Sequence, residues 1–246
     1  MTEALLITVT FFLAGIVKGV IGLGLPTIAM GLLGLAMAPA EAAALLLLPS
    51  LVTNLWQLLA GPALGTLPRR LGPMMAGIAI GSGVGSGAIA AADTRLATGA
   101  LGLALLGYAV TGLARFRPRI PPGGEAWAGP LVGVATGLVT GATGVLVLPA
   151  VPYLAALGLE RDALVQALGL SFTTSTLALA AGLAWQGALP AQALGVSLLA
   201  LAPALAGMAL GGVLRSRVAP DRFRRCFFIG LLALGAEIAW QGFGGD

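Results

Sequence analysis

The sequence contains no histidine, one cysteine and one lysine, and charged residues make up only 9% of its 246 positions. Without histidine, imidazole acid–base chemistry and histidine metal sites are excluded. The single cysteine, Cys226, cannot form a disulfide within the chain. A soluble domain carries about 25% charged residues, so this composition excludes a soluble globular protein. No stretch interleaves basic with aromatic residues, and a nucleic-acid partner is therefore not expected.

Long apolar segments are what the sequence has in abundance. Hydrophobic residues make up 58% of the chain, and its mean hydropathy is +1.01. An apolar segment of ~20 residues has the length of a transmembrane helix. Eight hydrophobic segments can be delimited, at about 4–36, 41–60, 73–92, 96–114, 127–157, 162–185, 190–214 and 223–242. We therefore predict an all-α polytopic membrane protein.

Two glycine-rich stretches indicate that the chain is a repeat. The first runs over residues 15–26 and the second over residues 133–149. A polar group over residues 50–54 follows the first stretch, and a similar group over residues 171–175 follows the second at a matching interval. Pro and Gly between the halves are typical of a surface linker. We predict a first repeat over residues 1–118, a linker over 119–126 and a second repeat over 127–246.

The leading segment of each repeat, 4–36 or 127–157, is too long for one crossing. About 30 residues of helix would span ~45 Å, whereas the hydrocarbon core is ~30 Å thick. Both segments contain Gly and Pro, and a backbone break is tolerated in a bilayer where protein or a water-filled cavity satisfies the freed groups. Each segment therefore either tilts steeply or breaks at the glycines and folds back.

The arginines favour the folded-back arrangement. If each leading segment returns to its own side, all loop arginines except Arg95 lie on one face, in agreement with the positive-inside rule. Each repeat then crosses three more times, so the repeats are inverted relative to each other. We predict two inverted repeats, each with a broken, re-entrant leading helix and three transmembrane helices, and both termini outside the cytoplasm.

Lys18 and the two glycine clusters are the first candidates for a binding site. Lys18 lies inside an apolar segment, where an ionisable residue is expensive and functional by default, although a lysine can also snorkel to an interface. Half-helices that start after Gly24 and Gly144 would present free N–H groups to an anion. Close helix packing through small residues is the alternative role of the glycines.

Polar side chains on the second segment of each repeat are further candidates. Residues 50, 53, 54 and 57 share one helical face because of their spacing, and residues 171, 174 and 175 repeat that face. Hydroxyl and amide donors suit an oxyanion, and interhelical hydrogen bonding is the alternative. The predicted substrate-binding residues are Lys18, Gly22, Gly24, Thr53, Asn54, Gln57, Thr140, Gly141, Thr143, Gly144, Ser171, Thr174 and Ser175. No catalytic residue and no metal ligand is predicted.

A third glycine pattern predicts helix packing and no binding. Gly77, Gly81 and Gly85 recur at every fourth position, as do Gly207 and Gly211 in the second repeat. Small residues at this spacing let two transmembrane helices approach closely.

The duplicated glycine element, followed by a helix that carries Ser50-x-x-Thr53-Asn54 or Ser171-x-x-Thr174-Ser175, resembles the TauE/SafE family of sulfite exporters. The resemblance covers essentially the whole chain. It implies transport of sulfur-containing anions, such as sulfite, sulfonates including sulfoacetate, or related small organic acids, and it implies no cofactor. The residues that fall in the motif regions are Gly19, Gly22, Gly24, Asn54, Gly137, Gly141, Gly144 and Ser175. Gly31 stands where the second copy has Pro149, so the first copy departs from the pattern.

The residues and the resemblance together predict a secondary transporter that exports a small sulfur-containing anion, driven by a proton gradient. The anion is expected to bind at half-helix N-termini near the middle of the bilayer. A passive anion channel and a transporter of small carboxylates are the alternatives, and an enzyme is not expected because no nucleophile motif is present. The expected partners are the anion and the lipid bilayer of the inner membrane, with a homodimer left open and no nucleic acid.

Overall fold

Ten helices follow one another along the residues that the computed structural model describes, which are 2–90, 93–115, 118, 120–121 and 123–244. They are α1 (Thr2–Ile21), α2 (Leu25–Leu33), α3 (Pro39–Leu59), α4 (Leu67–Ile89), α5 (Thr94–Leu113), α6 (Glu125–Thr143), α7 (Ala150–Ala156), α8 (Arg161–Trp185), α9 (Ala191–Leu214) and α10 (Pro220–Phe243). These ranges contain no strand, which confirms the all-helical prediction. The predicted features at positions 1, 91–92, Arg117, Arg119, Pro122 and 245–246 lie outside the described residues.

The first leading segment breaks at its glycines, as predicted. Helix α1 ends at Ile21 and α2 begins at Leu25. Gly22 and Gly24 between them have φ values of 77° and 99°, in the left-handed region that glycine adopts without steric penalty. Pro26 lies in the first turn of α2, where its missing N–H leaves no hydrogen bond unmade.

The second leading segment also breaks, but the half-helix expected directly after Gly144 begins later. Gly144, with φ 71°, ends α6, and five non-helical residues separate it from α7, which begins at Ala150. Val145 and Val147 are β-branched and favour extended backbone. Pro149 disfavours the helical conformation of Leu148 before it. The expectation of a half-helix N-terminus at Gly144 is therefore wrong.

Helix α4 also differs from its predicted range, because it begins at Leu67 and the predicted segment began at 73. Pro68 lies in its first turn, where proline is favoured, so Arg69 and Arg70 belong to the helix. By length and composition, six of the described helices are candidates to cross a membrane, namely α1, α3, α5, α8, α9 and α10. Helices α4 and α6 fall outside this set, since both are rich in glycine.

Two helix pairs, α3–α8 and α5–α10, run antiparallel. Ser50 of α3 contacts Thr176 of α8, whereas Leu58, further along α3, lies beside Gly169, earlier on α8. The α5–α10 pair has the same sense, because Gly102 faces Ala239 while Gly112 faces Phe228. Each pair joins corresponding helices of the two predicted repeats.

Two further pairs, α4–α6 and α1–α9, run parallel and pack through glycine. A Cβ on Gly81 would collide with the carbonyl of Val134, and one on Gly85 with that of Leu138. The α1–α9 contact is similar, since Gly207 and Gly211 of α9 face the carbonyls of Phe12 and Ile16. The backbones therefore touch along both seams, which confirms the prediction that these glycine stripes serve helix packing.

Most of the described arginines lie at one end of the helix bundle, which we call the arginine-rich end. Arg70 at the start of α4 donates to Glu125 at the start of α6 at 2.9 Å, and Arg115 after α5 contacts Asp221 at 3.3 Å. The start of α8 and the end of α9 meet here as well, because Asp162 and Arg215 line one cavity with Pro62. Arg95, at the start of α5, lies beside Gly242 at the opposite end.

Helix α2 runs back from the arginine-rich end. Its Gly31 lies near Leu105 of α5, and Gly34, one turn later, lies against Leu101, so α2 is antiparallel to α5. Because α5 ends at the arginine-rich end, α2 must point away from it. The first leading segment therefore turns back on itself at Gly22 and Gly24.

Candidate anion site

Lys18, which lies in the last turn of α1, is the one buried charged side chain among the described residues. Its side chain is 4% exposed. Its Nζ donates to Oδ1 of Asn54, whose Nδ2 donates to Oγ of Ser50 at 3.0 Å. The Ser50 hydroxyl in turn lies 3.3 Å from that of Thr176 on α8. A row of hydrogen bonds thus leads from α1 through α3 to α8.

The Lys18 ammonium has a neutral partner. Among the described residues, no carboxylate lies within ion-pair distance of its Nζ, and the two ion pairs that occur there, Arg70–Glu125 and Arg115–Asp221, are at the surface. An ammonium removed from water is strongly destabilised unless an opposite charge compensates it. The arrangement of Lys18 therefore leaves a positive charge that an anion can neutralise.

A cavity of about 340 Å³ lies beside Lys18. It lies toward the arginine-rich end of the bundle, between α1, α3, α8 and α9. The residues that line it include Lys18, Gly19, Gly22, Thr53, Gln57, Asp162 and Arg215. Four of the predicted binding residues therefore line this cavity, namely Lys18, Gly22, Thr53 and Gln57. Asn54 does not line it but accepts a hydrogen bond from Lys18.

Gln57 closes the cavity on the side of the first break. Its Nε2 donates to the carbonyl of Gly22 at 3.2 Å and to that of Val165 at 3.0 Å. Its Oε1 is buried and has no hydrogen-bond partner. Gln57 therefore fixes the position of the break between α1 and α2 against α3 and α8.

The two breaks themselves do not come together at this cavity. Gly24 lies against Val17 and Phe227, and Gly144 lies against the thioether of Met30. Because Met30 follows Gly24 by six residues of helix, the two breaks are separated by roughly 9 Å along α2. Neither Gly24 nor Gly144 lines the Lys18 cavity, so the predicted meeting of two half-helix ends does not occur there.

The remaining predicted residues of the second repeat fall into two groups. In the first group, Gly141 packs against the backbone of Ser82. Three hydroxyls of this group donate to nearby carbonyls: Thr140 to Val145 at 3.3 Å, Thr143 to Val139 at 2.7 Å and Thr174 to Leu170 at 3.0 Å. Ser171 and Ser175 are completely buried and their hydroxyls have no partner. These residues lie away from the Lys18 cavity.

Gln166 and Arg215 are two residues of this region that sequence reasoning missed. The Oε1 of Gln166 accepts from the backbone N–H of Ala63 at 2.7 Å, and its Nε2 donates to the carbonyls of Leu58 and Gly61 at 2.7 and 3.0 Å. Gln166 thereby holds the loop after α3 at the rim of the cavity. An amide within an apolar helix is a sequence signal that could have identified it, whereas Arg215 resembles any other loop arginine.

No group of three or more His, Cys, Asp or Glu side chains comes together among the described residues to hold a metal ion. The chemistry of the cavity is therefore that of one ammonium, amide and hydroxyl groups, and a charged rim. Ammonium, amide and hydroxyl groups are hydrogen-bond donors of the kind that a small anion requires.

Comparison with known proteins gives one match. The family model for the sulfite exporter TauE/SafE matches residues 7–238 of the chain. No curated protein and no solved structure matches it.

Proposed function

Because this chain belongs to the sulfite exporter TauE/SafE family, we propose that it is a secondary transporter that exports sulfite or a related small sulfur-containing anion, and that Lys18 binds this anion. The chain is a multi-pass membrane protein, as its apolar helices and its family both indicate.

The observation that carries the proposal is the buried ammonium of Lys18 beside a cavity, with a neutral amide as its partner. A carboxylate of the protein would neutralise this charge permanently. A transported anion neutralises it only while bound, so binding is favourable and release is still possible. Ionisable residues inside membrane segments mark substrate pathways for this reason.

The size and the lining of the cavity support a small anion. Its volume of about 340 Å³ accommodates an anion of the size of sulfite with part of its hydration shell, or a short sulfonate. Thr53 and Gln57 offer hydroxyl and amide groups that can turn toward a bound oxygen. Arg215 adds a second positive charge at the rim and Asp162 adds a negative one, so the rim has no net formal charge and Lys18 supplies the attraction for an anion.

We further propose that the two repeats are inverted, with alternating access to the site between them. An axis within the membrane plane makes corresponding helices antiparallel, whereas an axis along the membrane normal makes them parallel. The antiparallel pairs α3–α8 and α5–α10 support the first case. The two parallel pairs support it too. Helix α1 corresponds to α6 of the other repeat, and α9 corresponds to α4, so exchanging the two repeats turns the α1–α9 pair into the α6–α4 pair.

The charge distribution supports an orientation in the inner membrane. The arginine-rich end is assigned to the cytoplasm by the positive-inside rule, which leaves both termini on the other side. The Lys18 cavity then faces the cytoplasm, where an exporter collects its substrate. A proton gradient is the proposed driving force.

Thermal unfolding of the purified protein in a panel of anions tests the proposal. The panel holds sulfite, sulfate, thiosulfate, sulfoacetate and acetate at equal ionic strength, with chloride as the reference. We expect sulfite or sulfoacetate to raise the unfolding temperature saturably, since a ligand at 100 times its Kd stabilises the folded state by about 2.7 kcal/mol. A rise with acetate alone would favour a carboxylate transporter, and equal curves for all anions would contradict the proposal.

A further inference from the structure

The second repeat contains a counterpart of the hydrogen-bonded row at Lys18. The repeat pairs Lys18, Asn54 and Ser50 with Thr136, Ser175 and Ser171, in that order. Where the first repeat has an ammonium, an amide and a hydroxyl, the second therefore has three hydroxyls. Hydrogen bonds join the members of the first row, whereas the hydroxyls of the second row have no partner.

The three hydroxyls of the second repeat are buried and unbonded. Each side chain is 0% exposed, and none of the three oxygens has a hydrogen-bond partner. A hydroxyl in a helix can donate to the carbonyl four residues earlier, as those of Thr53, Thr143 and Thr176 do. Because the three hydroxyls do not do so, they are turned away from the backbone of their own helices.

Helix packing places these hydroxyls along about two turns of α4, with Ser171 one turn before Ser175 on α8. Thr136 adjoins Gly137, which lies against the backbone of Ser82. On α8, the hydroxyl of the residue before Ser175 lies 3.3 Å from the sulfur of Met75. Ser82 adds a fourth hydroxyl from α4 that is also completely buried and has no partner.

The chemistry of this cluster suits an acceptor with several oxygens. A buried O–H group that donates to nothing is destabilised, and an oxyanion such as sulfite or a sulfonate presents three acceptor atoms. A cation would use only the lone pairs of the hydroxyls and leave their hydrogens unbonded. The cluster also lacks a charge of its own, so it would hold an anion more weakly than Lys18 does.

We propose that the hydroxyls of Ser82, Thr136, Ser171 and Ser175 form a second, uncharged site for the transported oxyanion, which the anion enters after it leaves Lys18. This inference rests on the proposed function. If the repeats are inverted, each row takes the surroundings of the other when the transporter opens to the opposite side of the membrane. One row would then bind the anion on one side and the other row on the opposite side. The weaker, uncharged row then serves release.

Removal of the hydroxyls tests the proposal in three measurements on the same protein. The variants are Ser171→Ala combined with Ser175→Ala, and Thr136→Val alone. The measurements are sulfite efflux from loaded proteoliposomes, the sulfite-dependent rise in unfolding temperature, and the unfolding temperature without anion. The matched control is Thr111→Val, which removes a hydroxyl that donates to the carbonyl of Tyr108 within α5.

We expect both sets of variants to slow efflux by at least about tenfold, the loss that corresponds to one or two hydrogen bonds to a charged ligand. The sulfite-dependent rise persists, because Lys18 still binds the anion. Without anion, the unfolding temperature increases, because unbonded buried hydroxyls have been removed. Thr111→Val leaves efflux unchanged.

Wild-type efflux in both sets of variants would overturn the inference. A lower unfolding temperature without anion would overturn it as well, because the hydroxyls would then hold the fold together, directly or through bound water. If the wild-type protein shows neither efflux nor a sulfite-dependent rise, the proposed function fails and the inference fails with it. The three measurements thus distinguish the two failures.

Discussion

At the scale of single residues, the proposed anion site depends on the pair Lys18–Asn54. The Asn54 amide accepts a hydrogen bond from the ammonium and orients it without neutralising it. A carboxylate at the same place would have nearly the same shape and would remove the net charge. The neutrality of residue 54 is therefore as important as the charge of residue 18.

Asn54→Asp tests this role directly. The new carboxylate pairs with Lys18 and competes with the anion, so we expect anion affinity to fall by at least about tenfold, the equivalent of ~1.4 kcal/mol. The unfolding temperature should not decrease, because the aspartate still accepts from Lys18, and the Ser50 hydroxyl, which accepts from Asn54 in the wild type, can turn and donate to the carboxylate. Equilibrium binding of sulfite measures the first effect and thermal unfolding the second.

Gln186→Glu is the matched control, since it makes the same amide-to-acid change at an exposed position after α8. We expect this variant to bind sulfite like the wild type. An Asn54→Asp protein that also retains wild-type affinity would show that the charge at Lys18 does not bind the anion.

The sequence predicts much of the Lys18 site, because the relevant residues stand out in apolar segments. A single lysine among hydrophobic residues is conspicuous, and the spacing of Thr53, Asn54 and Gln57 reveals a shared helical face. The partner of each group was not predictable. Whether Gln57 reaches Gly22 or Gln166 reaches Ala63 depends on how two distant helices pack, and that register is not encoded in local spacing.

At the scale of helices, the glycine seams determine how closely the bundle packs. Along α4–α6 and α1–α9 the backbones are in direct contact, because glycine has no side chain to separate them. Transmembrane helices associate through such van der Waals packing, since the lipid is as apolar as the helix surfaces. The seams connect α1, which carries Lys18, and α6, which carries Thr136, to the helices of the opposite repeat.

Gly137→Ala is expected to destabilise the protein. Its Cβ would meet the carbonyl of Ile78 and the N–H of Ser82, and such overpacking typically costs ~1–3 kcal/mol. The unfolding temperature should fall by about 2–4 °C per kcal/mol for a chain of this size. Thermal unfolding of the purified variant measures the change.

Gly83→Ala is the matched control on α4, because a Cβ at Gly83 meets no atom within 4 Å. It should be neutral, or stabilising by up to ~1 kcal/mol, since alanine favours helix more than glycine does. Equal destabilisation by both substitutions would show that helix propensity, and not the seam, determines the effect.

The breaks in the leading segments show where prediction from sequence succeeds and fails at this scale. Gly22, Gly24 and Pro26 lie within five residues and all interrupt a helix there, so the end of α1 and the start of α2 were predictable. In the second repeat the glycine and the proline are five residues apart. The valines between them favour extended backbone, and the half-helix consequently begins at Ala150 and not at Gly144.

At the scale of the whole molecule, the arginine-rich end defines an orientation. The described arginines, except Arg95, lie in loops and helix ends that meet at this end. The exposed Cys226, the single cysteine of the chain, lies there near the start of α10. Gln186 lies in the loop between α8 and α9, at the opposite end.

Cysteine labelling in intact cells tests this orientation. A membrane-impermeant maleimide should not modify Cys226 if, as proposed, the arginine-rich end faces the cytoplasm. In a protein that combines Cys226→Ser with Gln186→Cys, the same reagent should modify residue 186. The reverse pattern would contradict the proposed topology, and permeabilised cells, in which both sites react, provide the control.

The measurement that tests the central claim most directly is equilibrium binding of sulfite to the wild-type protein and to Lys18→Met, which keeps a long unbranched side chain and removes the charge. Arg69→Met, which removes an exposed charge at the arginine-rich end, is the control. We predict saturable binding to the wild type and to Arg69→Met, and a loss of about 10–100-fold in Lys18→Met, as expected for a hydrogen bond to a charged group. Equal affinity of the wild type and Lys18→Met would contradict the claim that the buried ammonium binds the transported anion.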